Sequence, residues 1–350
     1  MDLGRLSAAL KELGAPAYRL DQIRQGVFRE GASSYEDLGV LPAPLRMQLG
    51  LKVPLMSHRL KELAVSADGT RKAALELSDG KLIETVLMRP TSRRWTTCIS
   101  SQVGCAIACT FCATGLMGLS RNLTPEEITD QVLFWRQHMK RERLEGPLSN
   151  VVYMGMGEPF ANYQNVAQSL TTLMDPRQFG LGARHISVST SGLVPQIERF
   201  ADEFPQVNLA LSLHAPSDAL RTRLVPLNKA YPLAELASAM RKYLSRSRRK
   251  VFVEYVLLKG ENDSTSHAWA LAEYLRGVSN PSLLHVNLIL FNPTDTPHEA
   301  STEDAARKFQ EVLKAKGFPS TVRKNLGRDI QGACGQLVRN PKLAKPRRQL

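Results

Sequence analysis

The chain has 350 residues, 43% of them hydrophobic, with 46 basic against 33 acidic side chains and a formal charge of +13. That composition suffices for a packed core, and no run approaches the ~18 apolar residues that would cross a bilayer. The basic excess suits a polyanionic partner, nucleic acid above all. The first residues are polar and acidic, without the apolar core of a secretory signal, so the chain is expected to be cytoplasmic and its thiols reduced.

Residues 1–56 read as a small helical domain. Apolar side chains recur at Leu6, Leu10 and Leu13, then at Leu20, Ile23 and Val27, before Pro42 and Pro44 break the pattern. Residues 57–92 switch to a period of two, with turn signals at Asp68-Gly69 and Asp79-Gly80, and form a β extension. The second turn leads into an apolar run that Glu84 interrupts, which by pattern alone suits an edge strand.

From residue 93 to 326 strands and helices alternate. Strands are predicted over 97–100, 151–156, 186–189, 207–213, 251–258, 285–291 and 321–324. Helices are predicted over 125–138, 166–174, 194–204, 232–244, 267–275 and 303–316. Thr124 before Pro125, with Glu126 and Glu127 behind, is a strong helix start. Such alternation predicts an α/β fold, an incomplete (βα)6 barrel whose ligand sits at the C-terminal strand ends. Residues 327–350 form a C-terminal loop and basic tail. Two acid-free basic runs stand out. One holds Arg241, Lys242, Arg246, Arg248, Arg249 and Lys250; the other holds Arg339, Lys342, Lys345, Arg347 and Arg348. Phosphate neutralisation is their functional reading, a solvated face the bland one.

Three of the five cysteines, Cys105, Cys109 and Cys112, lie in one C-x3-C-x2-C loop flanked by Gly104 and Gly115. In a reducing compartment such clusters bind metal. Zinc asks for four ligands, which Cys98 or a distant histidine would have to complete. An iron–sulfur cubane held by three cysteines keeps one iron open for a further ligand.

The triplet, with Phe111 before its last cysteine, resembles the signature of radical S-adenosylmethionine (SAM) enzymes. The longer run Cys98-Ile99-Ser100-Ser101-Gln102-Val103-Gly104-Cys105, with Cys112-Ala113-Thr114-Gly115 and Arg121-Asn122-Leu123-Thr124, is similar to the RlmN/Cfr family of radical SAM RNA adenine methyltransferases. The resemblance runs from about residue 60 to 340. It implies one [4Fe-4S] cluster on Cys105, Cys109 and Cys112, with SAM on the open iron. It implies SAM contacts at Gly157 and Glu158 in Met154-Gly155-Met156-Gly157-Glu158-Pro159, at Ser189, at Ser212-Leu213-His214 and at Asn292. Cys334, in Gly332-Ala333-Cys334-Gly335, would carry the one-carbon unit as S-methylcysteine, and Cys98 would release product through a transient disulfide. Glu84 in Ile83-Glu84-Thr85-Val86 would be the base, a role open to Cys98 as well.

The implied activity is methylation of adenine carbon 2 in 23S rRNA, at the peptidyl transferase centre, and in tRNA, 3′ of the anticodon. An external one-electron reductant, flavodoxin- or ferredoxin-like, is implied, and no membrane. Alternatives are a Cfr-like carbon-8 methyltransferase, a radical SAM enzyme for a small molecule, and a non-enzymatic metal-stabilised RNA-binding protein.

Overall fold

The computed structural model describes residues 1–91 and 94–337, so the second basic run lies outside the described residues. The chain opens with α1 (Leu3–Glu12), α2 (Tyr18–Phe28) and α3 (Ala43–Lys52). The predicted apolar stripes are the buried faces: Leu6, Leu10, Ile23, Val27 and Leu49 join a hydrophobic core that continues into the rest of the chain. Phe28 meets Phe179 edge-on at 5.0 Å.

An antiparallel meander follows: β1 (His58–Val65), β2 (Arg71–Leu77) and β3 (Leu82–Thr91). Both turn signals close as read, with Ser66 N–H donating to Thr70 O and Leu77 N–H to Lys81 O, each at 2.8 Å. Next comes β4 (Arg94–Cys98), antiparallel to β3, with Val86 opposite Cys98. Glu84 is therefore on an interior strand and buried, not on an edge.

After β4 a small antiparallel pair, β5 (Gln102–Gly104) and β6 (Leu119–Asn122), encloses the cysteine loop and the one-turn α4 (Ala113–Leu116). The βα units then run α5 (Pro125–Arg141), β7 (Leu148–Tyr153), α6 (Tyr163–Met174), β8 (Ile186–Thr190), α7 (Val194–Glu203) and β9 (Asn208–Ser212). They continue with α8 (Asp218–Leu224), α9 (Leu233–Ser247), β10 (Val251–Leu257), α10 (Thr265–Val278), β11 (Leu284–Leu290), α11 (Glu303–Ala315) and β12 (Ser320–Val322). Strands β4 and β7 to β12 are mutually parallel, and the meander extends them into one ten-stranded sheet ordered β1-β2-β3-β4-β7-β8-β9-β10-β11-β12. This is an open, incomplete α/β barrel with β1 and β12 at its edges.

Thr124 caps α5 as expected: its hydroxyl accepts from Glu127 N–H, and the Glu127 carboxylate returns the bond to Thr124 N–H at 3.0 Å. Two features differ from the sequence reading. The strand predicted over 151–156 ends at Tyr153. Residues 154–157 turn away to pair with the segment after β4, where Gly155 N–H donates to Ile99 O and Ser101 N–H to Met156 O. Helix α8 and the β5–β6 pair were not predicted, since seven and three residues carry too little periodicity to read.

Candidate active site

The cysteine loop leaves β5 through Gly104, whose φ of +80° suits glycine, and passes Ala108 at φ +56°. Cys105 N–H donates to Gly118 O at 3.0 Å, closing the loop across the β5–β6 pair. A Cβ at Gly115 would stand 2.9 Å from Cys109 O, so only glycine lets the chain fold back over the cysteines. Burial pushes the Cys105 thiol up to about 12 and raises Cys109 and Cys112, and neighbouring thiol charges add to the rise at Cys105 and Cys109. Such thiols ionise only beside a cation. Among the described residues no group of three or more His, Cys, Asp or Glu converges on a point that would hold a single metal ion.

A cleft of about 970 Å³, counting the solvent it admits, opens over the triplet. Nine of the predicted site residues line it beside Cys334: Cys105, Cys109, Cys112, Gly157, Glu158, Ser189, Ser212, His214 and Asn292. The three cysteines come from the loop between β5 and β6, and the other six from the C-terminal ends of β7, β8, β9 and β11, where the fold class places a ligand. Gly157 sits at φ +98°, and a Cβ there would fall 2.5 Å from the Gln102 Cβ. Next to it Glu158 is buried; its carboxylate accepts from Phe160 N–H at 3.0 Å and Ser191 N–H at 2.8 Å. Desolvation still raises its pKa, and a cation placed beside it would favour the carboxylate form.

Ser189 and Ser212 share a hydrogen bond of 3.0 Å across β8 and β9. His214, at φ +61°, accepts from Val256 N–H on Nδ1 at 3.1 Å, which leaves the proton on Nε2. Burial pushes it down to about 3, so the ring stays neutral. Phe111 packs edge-on against it at 4.9 Å, tying the cysteine loop to β9. Asn292 donates to Cys334 O at 3.1 Å, while its buried Oδ1 has no partner among the described residues. Leu213 lies between two lining residues, and its own side chain is fully buried in the core.

Cys334 is exposed in a turn that covers the cysteine loop. Gly335 O accepts from Ala113 N–H at 2.9 Å and Leu337 O from the Thr114 hydroxyl at 2.6 Å. Cys334 lines a second, larger cavity too, which also contains the buried Cys98 at the end of β4. Burial, with a smaller push from Cys334, drives the Cys98 thiol up to about 12. The two outer cysteines thus face one space, beside the triplet. Glu84 lines neither cavity and forms an ion pair with Lys72 at 3.0 Å. Across the β3–β4 register it shares the Cys98 face of the sheet.

Sequence reasoning missed three organising residues. Gln102 Oε1 accepts from Glu158 N–H at 2.8 Å. Arg221, fully buried on α8, donates to Leu213 O at 3.1 Å and Ser191 O at 2.5 Å, tying the β8 and β9 loops together. Arg323 bonds Glu254 at 3.1 Å and lines both cavities. A lone polar or charged residue gives no signal until its partners are known.

The sequence model of the radical SAM superfamily matches residues 99–271. A probable dual-specificity RNA methyltransferase RlmN of Chloroflexus aurantiacus is 44% identical, across 96% of this chain and 91% of that protein. The dual-specificity RNA methyltransferase RlmN of Marinobacter nauticus is 40% identical, across 97% and 91%. The chain belongs to the RlmN family of radical SAM methyltransferases. A radical SAM methyltransferase from Sphaerobacter thermophilus has the same fold, with a TM-score of 0.90 and 46% identity over 96% of this chain and 97% of that one.

As an RlmN-family chain it uses a [4Fe-4S] cluster and SAM, and the residues present fit both. Three soft thiols from one loop that line one cleft suit an iron–sulfur cluster with an open iron. The buried Glu158 carboxylate and the orphaned Asn292 Oδ1 supply acceptors for an ammonium and an adenine amine in the same cleft. Among the described residues no helix is long and apolar enough to cross a membrane.

Proposed function

We propose that this protein methylates carbon 2 of adenine in 23S rRNA and in tRNA, with Cys334 as the methyl carrier. The observation that supports the reading best is the placement of Cys334, which lines both the cleft of the cysteine triplet and the cavity of Cys98. Adenine carbon 2 is electron-poor and offers no nucleophile, so polar transfer from a sulfonium fails there.

Cys105, Cys109 and Cys112 hold the cluster, and Glu158, Asn292 and the Ser189–Ser212 pair orient SAM beside it. When bound, the cluster and SAM supply a carbon radical able to take hydrogen from an unactivated methyl group. Cys334 Sγ presents that methyl group in the cleft. Neutral His214, packed against Phe111, keeps the wall free of added charge. Once the carbon has joined adenine, the ring gives up a proton, to Glu84 or to the Cys98 thiolate, and one electron, to the one-electron carrier, which leaves a closed-shell thioether on Cys334. Cys98 as the thiolate then attacks Cys334 Sγ; the carbon–sulfur bond breaks, its electron pair stays on the carbon, which takes a proton to become the methyl group, and a disulfide remains. A one-electron donor of flavodoxin or ferredoxin type serves the cluster, in the cytoplasm.

The test is anaerobic reconstitution with iron and sulfide, then reaction with SAM, a reductant and RNA, with digested RNA analysed by mass spectrometry. 2-Methyladenosine is the expected product. 8-Methyladenosine would move the enzyme to the carbon-8 branch, and no methylated adenosine would overturn the assignment.

A further inference from the structure

The two cavities meet. Met154, Ile289, Arg323 and Cys334 line both, so the cleft over the triplet and the Cys98 cavity join at the carrier cysteine. The first is lined by the C-terminal ends of the parallel strands, as at Ser189 and Ser212. The second is lined by Ser187, Asn208 and Phe252 near the starts of β8, β9 and β10, and by Val322, Arg323, Lys324 and Asn325 at the end of β12.

Chemistry separates the two openings as well. The first contains Glu158, an acceptor for a cationic ligand, while its Glu254 is already paired with Arg323. No Asp or Glu is among the described residues that line the second, which carries Arg184, Arg323 and Lys324. Arg184 and Lys324 are exposed at its rim. The basic run 241–250 reaches it too, since the Arg249 guanidinium donates to Asn208 Oδ1 at 2.6 Å. Flat rings stand nearby: Phe252 and His185 line the cavity, and His285 lies edge-on to Phe252 at 5.9 Å. Basic groups at a mouth with aromatic faces inside are what an unstacked nucleotide requires. The volume, about 1660 Å³ with the solvent it admits, leaves room for a base and its sugar-phosphate.

We propose that RNA docks at the mouth of this second cavity and inserts its target adenine through it, while SAM occupies the cleft over the cysteine triplet. Arg184, Arg249 and Lys324 neutralise the phosphates flanking the extruded nucleotide, Phe252 stacks on its base, and the ring reaches Cys334 from the side of Cys98. This rests on the reading of the protein as an RNA methyltransferase. Its consequence is that SAM and RNA never compete for an entrance.

The test uses the full chain and a fluorescein-labelled RNA hairpin with an unpaired adenine in its loop, followed by anisotropy across a salt series. Arg184→Glu with Lys324→Glu is compared with Lys308→Glu plus Lys314→Glu on the outer helix α11, which changes the net charge equally. The rim variant should bind at least tenfold more weakly at fixed salt, and its log–log salt slope should fall by about two, one per lost phosphate contact. Arg184→Ala with Lys324→Ala should weaken binding in the same direction, with its thermal melt separating lost contacts from lost fold. A rim variant that binds like the α11 control overturns the entry route. Failure of the unaltered protein to bind the hairpin overturns the RNA reading itself and the route with it.

Discussion

A buried thiol keeps its proton because its thiolate cannot be solvated, and the cysteines of this site are arranged to make that costly. In the cluster-free protein Cys105 is held near 12, while an unfolded cysteine ionises near 8.5. Above that lower value the unfolded chain releases protons that the folded chain retains, so stability falls as pH rises. Each such thiol contributes a loss of up to about 1.4 kcal/mol per pH unit. Urea unfolding of the cluster-free protein at pH 8 and 9.5 should show this decline, and Cys105→Ala should reduce it by one thiol's share. Cluster-loaded protein should lack it, because its thiols are already ionised ligands. At the carrier position, Cys334→Ala should abolish RNA methylation yet retain reductive cleavage of SAM, read as 5′-deoxyadenosine by chromatography. Cys98→Ala should trap a protein–RNA adduct on a denaturing gel; free methylated RNA at normal yield would exclude its resolving role.

At the scale of elements, the site depends on short turns that cannot be exchanged for others. Gly157 combines a left-handed φ with a contact that admits no Cβ. Gly157→Ala must displace Gln102, the acceptor for Glu158 N–H, and so move the carboxylate. We expect a loss of about 1–3 kcal/mol in stability and SAM binding at least tenfold weaker, by urea unfolding and calorimetric titration. Thr124→Ala should cost only about 1 kcal/mol, as it removes one cap far from the cleft. These contrasts mark what could be read beforehand. The α5 start, both hairpin turns and the order of the βα units follow from local chemistry, and each was legible. The end of β7 was not, because Met154 and Met156 continue an apolar run that only tertiary pairing with Ile99 and Ser101 interrupts. Arg221 was invisible for the same reason: its acceptors are backbone oxygens of two other loops.

Across the whole molecule the carrier turn is where distant parts of the chain meet. One side of it is fastened to the cysteine loop through Ala113 and Thr114, and to the β11 end through Asn292. Its entry is fastened to the β1–β2 turn instead. Asp68 Oδ2 accepts from Gly327 N–H at 2.8 Å, and Asp329 accepts from the Ser66 hydroxyl at 2.5 Å and Ala67 N–H at 3.2 Å. These bonds hold the Asp329 carboxyl below its usual range, so it stays ionised and the tie persists at neutral pH. The meander therefore does more than widen the sheet: it sets where Cys334 stands between the two cavities. Methyl transfer needs that placement to within a fraction of an ångström, whereas SAM cleavage needs only the triplet and its cleft. Asp68→Ala with Asp329→Ala should accelerate hydrogen exchange across residues 327–337, as mass spectrometry would resolve, and lower the RNA methylation rate at least tenfold. SAM cleavage without RNA should continue. Equal loss of both reactions would mean that the meander supports the fold as a whole and has no particular hold on the carrier.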